Sequence, residues 1–103
     1  MGRRRAASDM STTVGTLRIT VAALMHACGE TQTELAERIG ITQGQLSRKQ
    51  SGLAAWSLTD IDNLSTHYGV PVPDLVAGPT HAVSKLDRRR LATVGRRQQV
   101  IAV

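Results

Sequence analysis

The stretch from Glu30 to Gly52, ETQTELAERIGITQGQLSRKQSG, constrains this chain most, because it sets one helix start on either side of a single glycine. Thr31 has Glu34 three residues on, and Thr42 has Gln45 three residues on. Each spacing predicts a capping box, in which the cap hydroxyl and the later side chain satisfy each other's orphan backbone donors. Ile41 just before the second cap and Leu46 at the fourth helical position form a hydrophobic staple that fixes how the chain enters that helix. Gly40 stands where the first helix must stop and the backbone must turn sharply. The expected helices are Gln32 to Ile39 and Gln43 to Gln50, with Leu35, Ala36, Ile39 and Leu46 inward and Gln43, Gly44, Ser47 and Arg48 outward.

The rest of the chain supplies a body for this pair. With 103 residues and only 2% aromatic content, the core must be built from Leu, Ile, Val and Ala, which favours a small helical bundle. Val14, Leu17, Val21, Leu24, Met25 and Cys28 recur at helical steps, predicting an amphipathic helix capped within Ser11 to Thr13 and stopped at Gly29. After the loop GLAAW, Ser57 with Asp60 repeats the capping pattern, and Trp56 is placed to staple against Ile61. Leu58, Ile61, Leu64 and Tyr68 are expected to face inward on the helix that follows, which Gly69 ends. Pro73 suits the first turn of a short fifth helix, closing the core with Val72, Leu75 and Val76. Gly78 and Pro79 punctuate the chain strongly and place a domain boundary there. Beyond it, Val83, Leu86, Leu91 and Val94 are compatible with another helix to about Thr93, and QQVIAV with a strand or a fraying tail. The expected division is a flexible basic arm (1–12), an all-α domain (13–78) and a basic extension (79–103).

Charge is unevenly spread. Arg3, Arg4 and Arg5 against Asp9 give the first ten residues a net +2. Four basic and six acidic groups leave residues 11–78 at −2, and six basic groups against Asp87 put residues 79–103 at +5. The basic excess therefore lies in the two ends, where it attracts a polyanion or simply solvates the tails. The lone Cys28 forms no internal disulfide and is expected to be buried. No apolar run reaches the ~20 residues that span a bilayer, so a cytoplasmic protein without membrane contact is expected. His26 and His67 are expected at the surface. Together with His81 and Cys28 they show no HxxxH, CxxC or HExxH spacing, and no glycine loop cradles phosphate. No catalytic residue, metal, cofactor or small-molecule ligand is expected.

TQTELAERIGITQGQLSR followed by SLTDIDNLSTHYGVPVPDLVAG resembles the lambda-repressor-like, or Cro/C1-type, helix-turn-helix family over about Val14 to Gly78. TQ-x-x-LA, G-x-T-Q, SR, a glycine and YGV-x-x-x-x-L keep the family's order and spacing. Within it, ITQGQLSRKQSG with Trp56 and the SLTDIDNL helix looks most like the immunity repressors of temperate actinobacteriophages, mycobacteriophages in particular. The resemblance implies a compact five-helix DNA-binding domain that lays its third helix in the major groove of operator DNA. Carried over residue by residue, Thr42, Gln43, Gly44 and Arg48 face base edges, with Gln43 suited to adenine and Arg48 to guanine. Gln32, Ser47, Lys49 and Ser51 then meet the DNA backbone, Gln32 also bracing Gln43. Arg3, Arg4 and Arg5 form an arm along the duplex, and Arg88, Arg89 and Arg90 are expected to help from the other end.

Three positions depart from the family pattern. Lys49 replaces an apolar or aromatic residue and is expected to snorkel toward a phosphate. Gln50 replaces a glutamate, which removes an expected ion pair with the first helix. Gly44 supplies no side chain at a reading position. The expected function is a sequence-specific repressor acting on double-stranded DNA, with a homodimer on a palindromic site compatible. A Cro or excision regulator, or an antitoxin whose tail from Pro79 binds a protein partner, is the alternative.

Overall fold

The computed structural model describes residues 13–91. Within that span the chain is all-α: α1 (Thr13–Cys28), α2 (Gln32–Ile39), α3 (Gln43–Ser51), α4 (Leu58–Tyr68), α5 (Val72–Leu75), α6 (Pro79–Ser84) and a closing 3-10 helix (Arg88–Leu91). All three expected capping boxes form, at Thr31 with Glu34, Thr42 with Gln45 and Ser57 with Asp60.

Helix α1 is the element around which the others gather, packing most extensively against α6 and also against α3 and the 3-10 helix. It contributes Leu17, Val21, Leu24 and Met25 to the core, with Thr20 buried among them. Leu35, Ala36 and Ile39 from α2, Leu46 from α3, Leu64 and Tyr68 from α4, Val70 and Leu75, Ala82 from α6 and Leu86 complete the cluster. Ile41, Trp56 and Ile61, the expected staple residues, pack against it while partly exposed. Burying fourteen apolar residues is the dominant favourable term here, and no aromatic other than Tyr68 is fully inside.

Two expected core residues lie outside. Val14 is 51% exposed and Leu58 is 81% exposed. Both stand in the opening turn of their helices, ahead of the point where the helix meets its neighbours. The helical stripe names a face but not where along the axis that face is covered.

A second correction concerns the boundary at Gly78 and Pro79. Pro79 is the first residue of α6, whose Ala82 is fully buried, and Leu86 beyond it is also in the core. The proline opens a helix, a position its fixed φ suits, and the packed body continues through residue 86. Residues 1–12 and 92–103, which include Arg3, Arg4, Arg5, the arm and QQVIAV, lie outside the described residues.

His67 is a third difference. Its Nε2 lies 2.5 Å from Glu30 Oε2, and the Tyr68 hydroxyl donates to Glu30 Oε1 at 2.6 Å. This group ties the turn after α1 to the last turn of α4. Burial raises the Glu30 carboxyl, but the bonds from His67 and Tyr68 and the nearby charges of His67 and Arg90 outweigh it and hold it below the usual carboxylate range. Burial, followed by the carboxylate of Glu30, pushes the Tyr68 hydroxyl well above the ordinary phenol range. Cys28 is half-buried, and burial with the Glu30 charge beside it raises its thiol.

Candidate nucleic-acid interface

Helix α3 has the composition of an element that serves something outside the fold. Leu46 is the only buried residue in QGQLSRKQS. Its sequence offers no second apolar anchor, so the helix is held by its ends. At the front, Gly40 adopts φ 77° and its N–H caps the carbonyls of Ala36 and Glu37. A left-handed residue is cheap for glycine and turns the chain within two residues. The N–H of Ile41 then donates to Ala36 O at 3.0 Å, which aims Thr42 at the start of α3.

Gln43 Nε2 donates to Gln32 Oε1 at 2.8 Å, joining the first residue of α3 to the first residue of α2. The bond uses one of the two amide hydrogens of Gln43. A free N–H and a free carbonyl oxygen remain, the pair that adenine presents a match for in the major groove. Gln32 spends only its acceptor, so both its amide hydrogens stay available at the positive end of α2.

Thr42, Gln43, Gly44 and Arg48 are all exposed. The Arg48 Nη1 lies 3.9 Å from where a β-carbon on Gly44 would stand. The bare glycine therefore leaves an open strip of helix surface along which the guanidinium lies. Thr42 uses its hydroxyl oxygen as the cap acceptor and keeps its hydrogen for another partner. Ser47 is half-buried. Ser51 is exposed, but its hydroxyl donates back to the carbonyl of Arg48 at 3.1 Å.

The far end of α3 is fixed by contacts that sequence reasoning did not assign. Arg18 of α1 donates to the main-chain carbonyl of Gln50 at 3.0 Å, and Gln50 Nε2 to Met25 Sδ at 3.4 Å. These two bonds hold α1 against α3 with a glutamine at position 50, the arginine pairing with its main-chain oxygen.

Lys49, expected to reach a phosphate, is turned inward. Its Nζ forms an ion pair with Asp60 Oδ2 at 2.7 Å, donates to Ala55 O at 2.9 Å and lies 5.9 Å from the centre of the Trp56 ring. An opposite charge lay within reach in sequence at Asp60, but the capping spacing already accounted for that residue. Burial raises the Asp60 carboxyl, yet the bonds from Lys49 and Ser57 and the lysine charge hold it below its usual range.

The structure does not gather all the expected residues. Arg88, Arg89 and Arg90 are exposed on the 3-10 helix, where Arg89 pairs with Asp87 at 3.3 Å. Arg90 lines a cleft of about 470 Å³ with Cys28, Gly29, Glu30, Glu34, Arg38 and His67, and none of the outward residues of α3 borders it. Among the described residues no group of three His, Cys, Asp or Glu could hold a metal ion, and no helix is long and apolar enough to cross a membrane.

Two capped helices about a glycine turn, the second polar and projecting, define a helix-turn-helix DNA-binding module. Residues 19–77 match the Cro/C1-type HTH DNA-binding domain, and the chain belongs to that family. No curated protein and no solved structure matches the chain. The family carries DNA binding and a regulatory role in general terms.

Proposed function

We propose that this protein is a sequence-specific transcriptional repressor that reads operator DNA with α3, in the manner of a temperate phage immunity repressor that silences lytic promoters and maintains lysogeny. The observation that carries the DNA-reading part is the Gln32–Gln43 bond at 2.8 Å, which presents one amide edge from an otherwise solvent-facing helix. The phage assignment rests on the likeness of ITQGQLSRKQSG, Trp56 and SLTDIDNL to actinobacteriophage repressors. In this reading Thr42, Gln43, Gly44 and Arg48 face bases, while Gln32, Ser47 and Ser51 face the DNA backbone. Residues 11–78, at net −2, draw little on phosphate charge, so Arg3, Arg4 and Arg5 with the basic end supply most of the attraction. The protein acts in the bacterial cytoplasm, as one copy or as a homodimer on a palindromic site.

The packing of Ala82 and Leu86 into the core favours this reading over the antitoxin alternative, since that part of the extension is already committed. Selection of bound duplexes from a random library, followed by footprinting with measured stoichiometry, tests it. A single preferred site whose occupancy shuts a promoter supports repression. Binding without sequence preference, or a stoichiometric protein partner held through residues 79–103, contradicts it.

A further inference from the structure

We propose that Lys49 and Asp60 form a positioning clasp that sets the angle at which α3 enters the groove, with Lys49 acting through Asp60 and not on a phosphate. The proposal rests on the DNA-reading function above and assigns it two further residues.

Helix α3 has one buried side chain, Leu46, close to its middle. A helix held at one central point can rock about it unless both ends are tied. The front end is tied through Gly40 and Gln32. At the back, alongside the bonds from Arg18 to Gln50 and from Gln50 to Met25, the ammonium of Lys49 meets three groups on two elements: Asp60 of α4 at 2.7 Å, and the carbonyl of Ala55 at 2.9 Å and the face of Trp56 in the loop between α3 and α4. Asp60 is itself fixed, because the same Oδ2 accepts the N–H of Ser57 at 2.8 Å and the N–H of Asp60 donates to Ser57 Oγ at 3.0 Å. One carboxylate therefore starts α4 and anchors the last turn of α3.

The two side chains are only 15% and 8% exposed, so little water screens the pair. Reaching a phosphate would require Lys49 to leave a buried carboxylate without its counter-charge, which is strongly unfavourable. The loop between α3 and α4 meets the clasp through Ala55 and Trp56. A loosened clasp shifts the reading residues of α3 without removing any of them, so the predicted damage is to discrimination and not to general attraction for DNA.

The test compares wild type, Lys49→Met, Asp60→Asn and the double variant on the library-selected duplex and on a random duplex, over a range of salt concentrations. Asparagine retains an oxygen for the Ser57 N–H, so Asp60→Asn removes the ion pair with the least damage to the cap. Circular dichroism sets the temperature at which each variant is folded, and if Lys49→Met does not fold, Asp60→Asn decides alone. The clasp predicts that each single variant lowers the selected-to-random affinity ratio by at least about fivefold, the lower end of what one misaligned base contact costs. The double variant falls no further than the worse single, and the salt dependence is unchanged. Equal losses on both duplexes for Lys49→Met, with a salt slope smaller by about one and an inert Asp60→Asn, would make Lys49 a phosphate contact and overturn the proposal. Wild-type ratios in both single variants overturn it too. A wild-type protein with no sequence preference defeats the DNA-reading function itself, an outcome distinct from either.

Discussion

Gln43 and Gln32 meet across the turn, the Nε2 of the first donating to the Oε1 of the second at 2.8 Å, and so lock together the opening residues of α3 and α2. The bond fixes the rotamer of a side chain that otherwise points into solvent. Gln32→Ala should therefore weaken binding to the selected duplex by about 0.5–1.5 kcal/mol while leaving stability nearly unchanged. Parallel titrations and urea unfolding check both halves, and an unaltered affinity would remove the brace from the interface.

Gly52 and Gly40 offer a matched pair for the backbone of the motif. Both have positive φ, 86° and 77°. A β-carbon on Gly52 would stand 2.9 Å from Arg18 Nη1, whereas on Gly40 it meets nothing within 4 Å. Gly40→Ala is expected to cost about 1–2 kcal/mol of stability from the left-handed conformation alone. Gly52→Ala should cost more, about 2–3 kcal/mol, because Arg18 must also shift from the carbonyl of Gln50. Urea midpoints of the two variants give the comparison, and equal costs would show that the arginine yields freely.

Leu86 and Leu58 separate packing from periodicity. Leu86 is 7% exposed and Leu58 81% exposed. Truncating Leu86 to alanine should cost about 2–4 kcal/mol, and truncating Leu58 less than about 0.5 kcal/mol. Thermal or urea unfolding distinguishes them. Similar small losses at both would return the domain boundary to Gly78.

Stability should fall on the acid side. The carboxyls of Glu30 and Asp60 are both held below their ordinary range in the fold. Their contribution is present above the unfolded values near pH 4 and is lost as pH falls through the lower folded ones. Tyr68, raised by burial and by Glu30, works in the opposite sense and withdraws stability as pH rises beyond about 10. Urea midpoints across pH test this; Glu30→Gln should flatten the acid limb, and an unchanged limb would exclude the Glu30 group as its source.

What could be read from the chain divides by sequence distance. Capping boxes act over three residues, and the staple and the glycine stops are as local, so Thr31, Thr42, Ser57, Gly40 and Gly52 stood legible and set the helices in place. The Gln32–Gln43 brace spans eleven residues and is legible only through family resemblance. Glu30 with His67 and Tyr68, separated by 37 and 38 residues, has no local signature, and a helical position off the apolar stripe points His67 to the surface. Lys49 is illegible for a related reason: an unpartnered cation on a projecting helix points to phosphate until the fold brings Asp60 beside it. Gly78 and Pro79 carry the same residues as a linker and a helix start, and only the burial of Ala82 and Leu86 separates the two.

The proposed function makes Gln43 and Arg48 the residues that choose the sequence. Its most direct measurement is the affinity of Gln43→Ala and Arg48→Ala for the selected duplex and for random DNA at fixed salt. Each substitution should cost about 1–3 kcal/mol in discrimination, with binding to random DNA much less affected. Equal losses on both DNAs would contradict the assignment of these two residues as base readers.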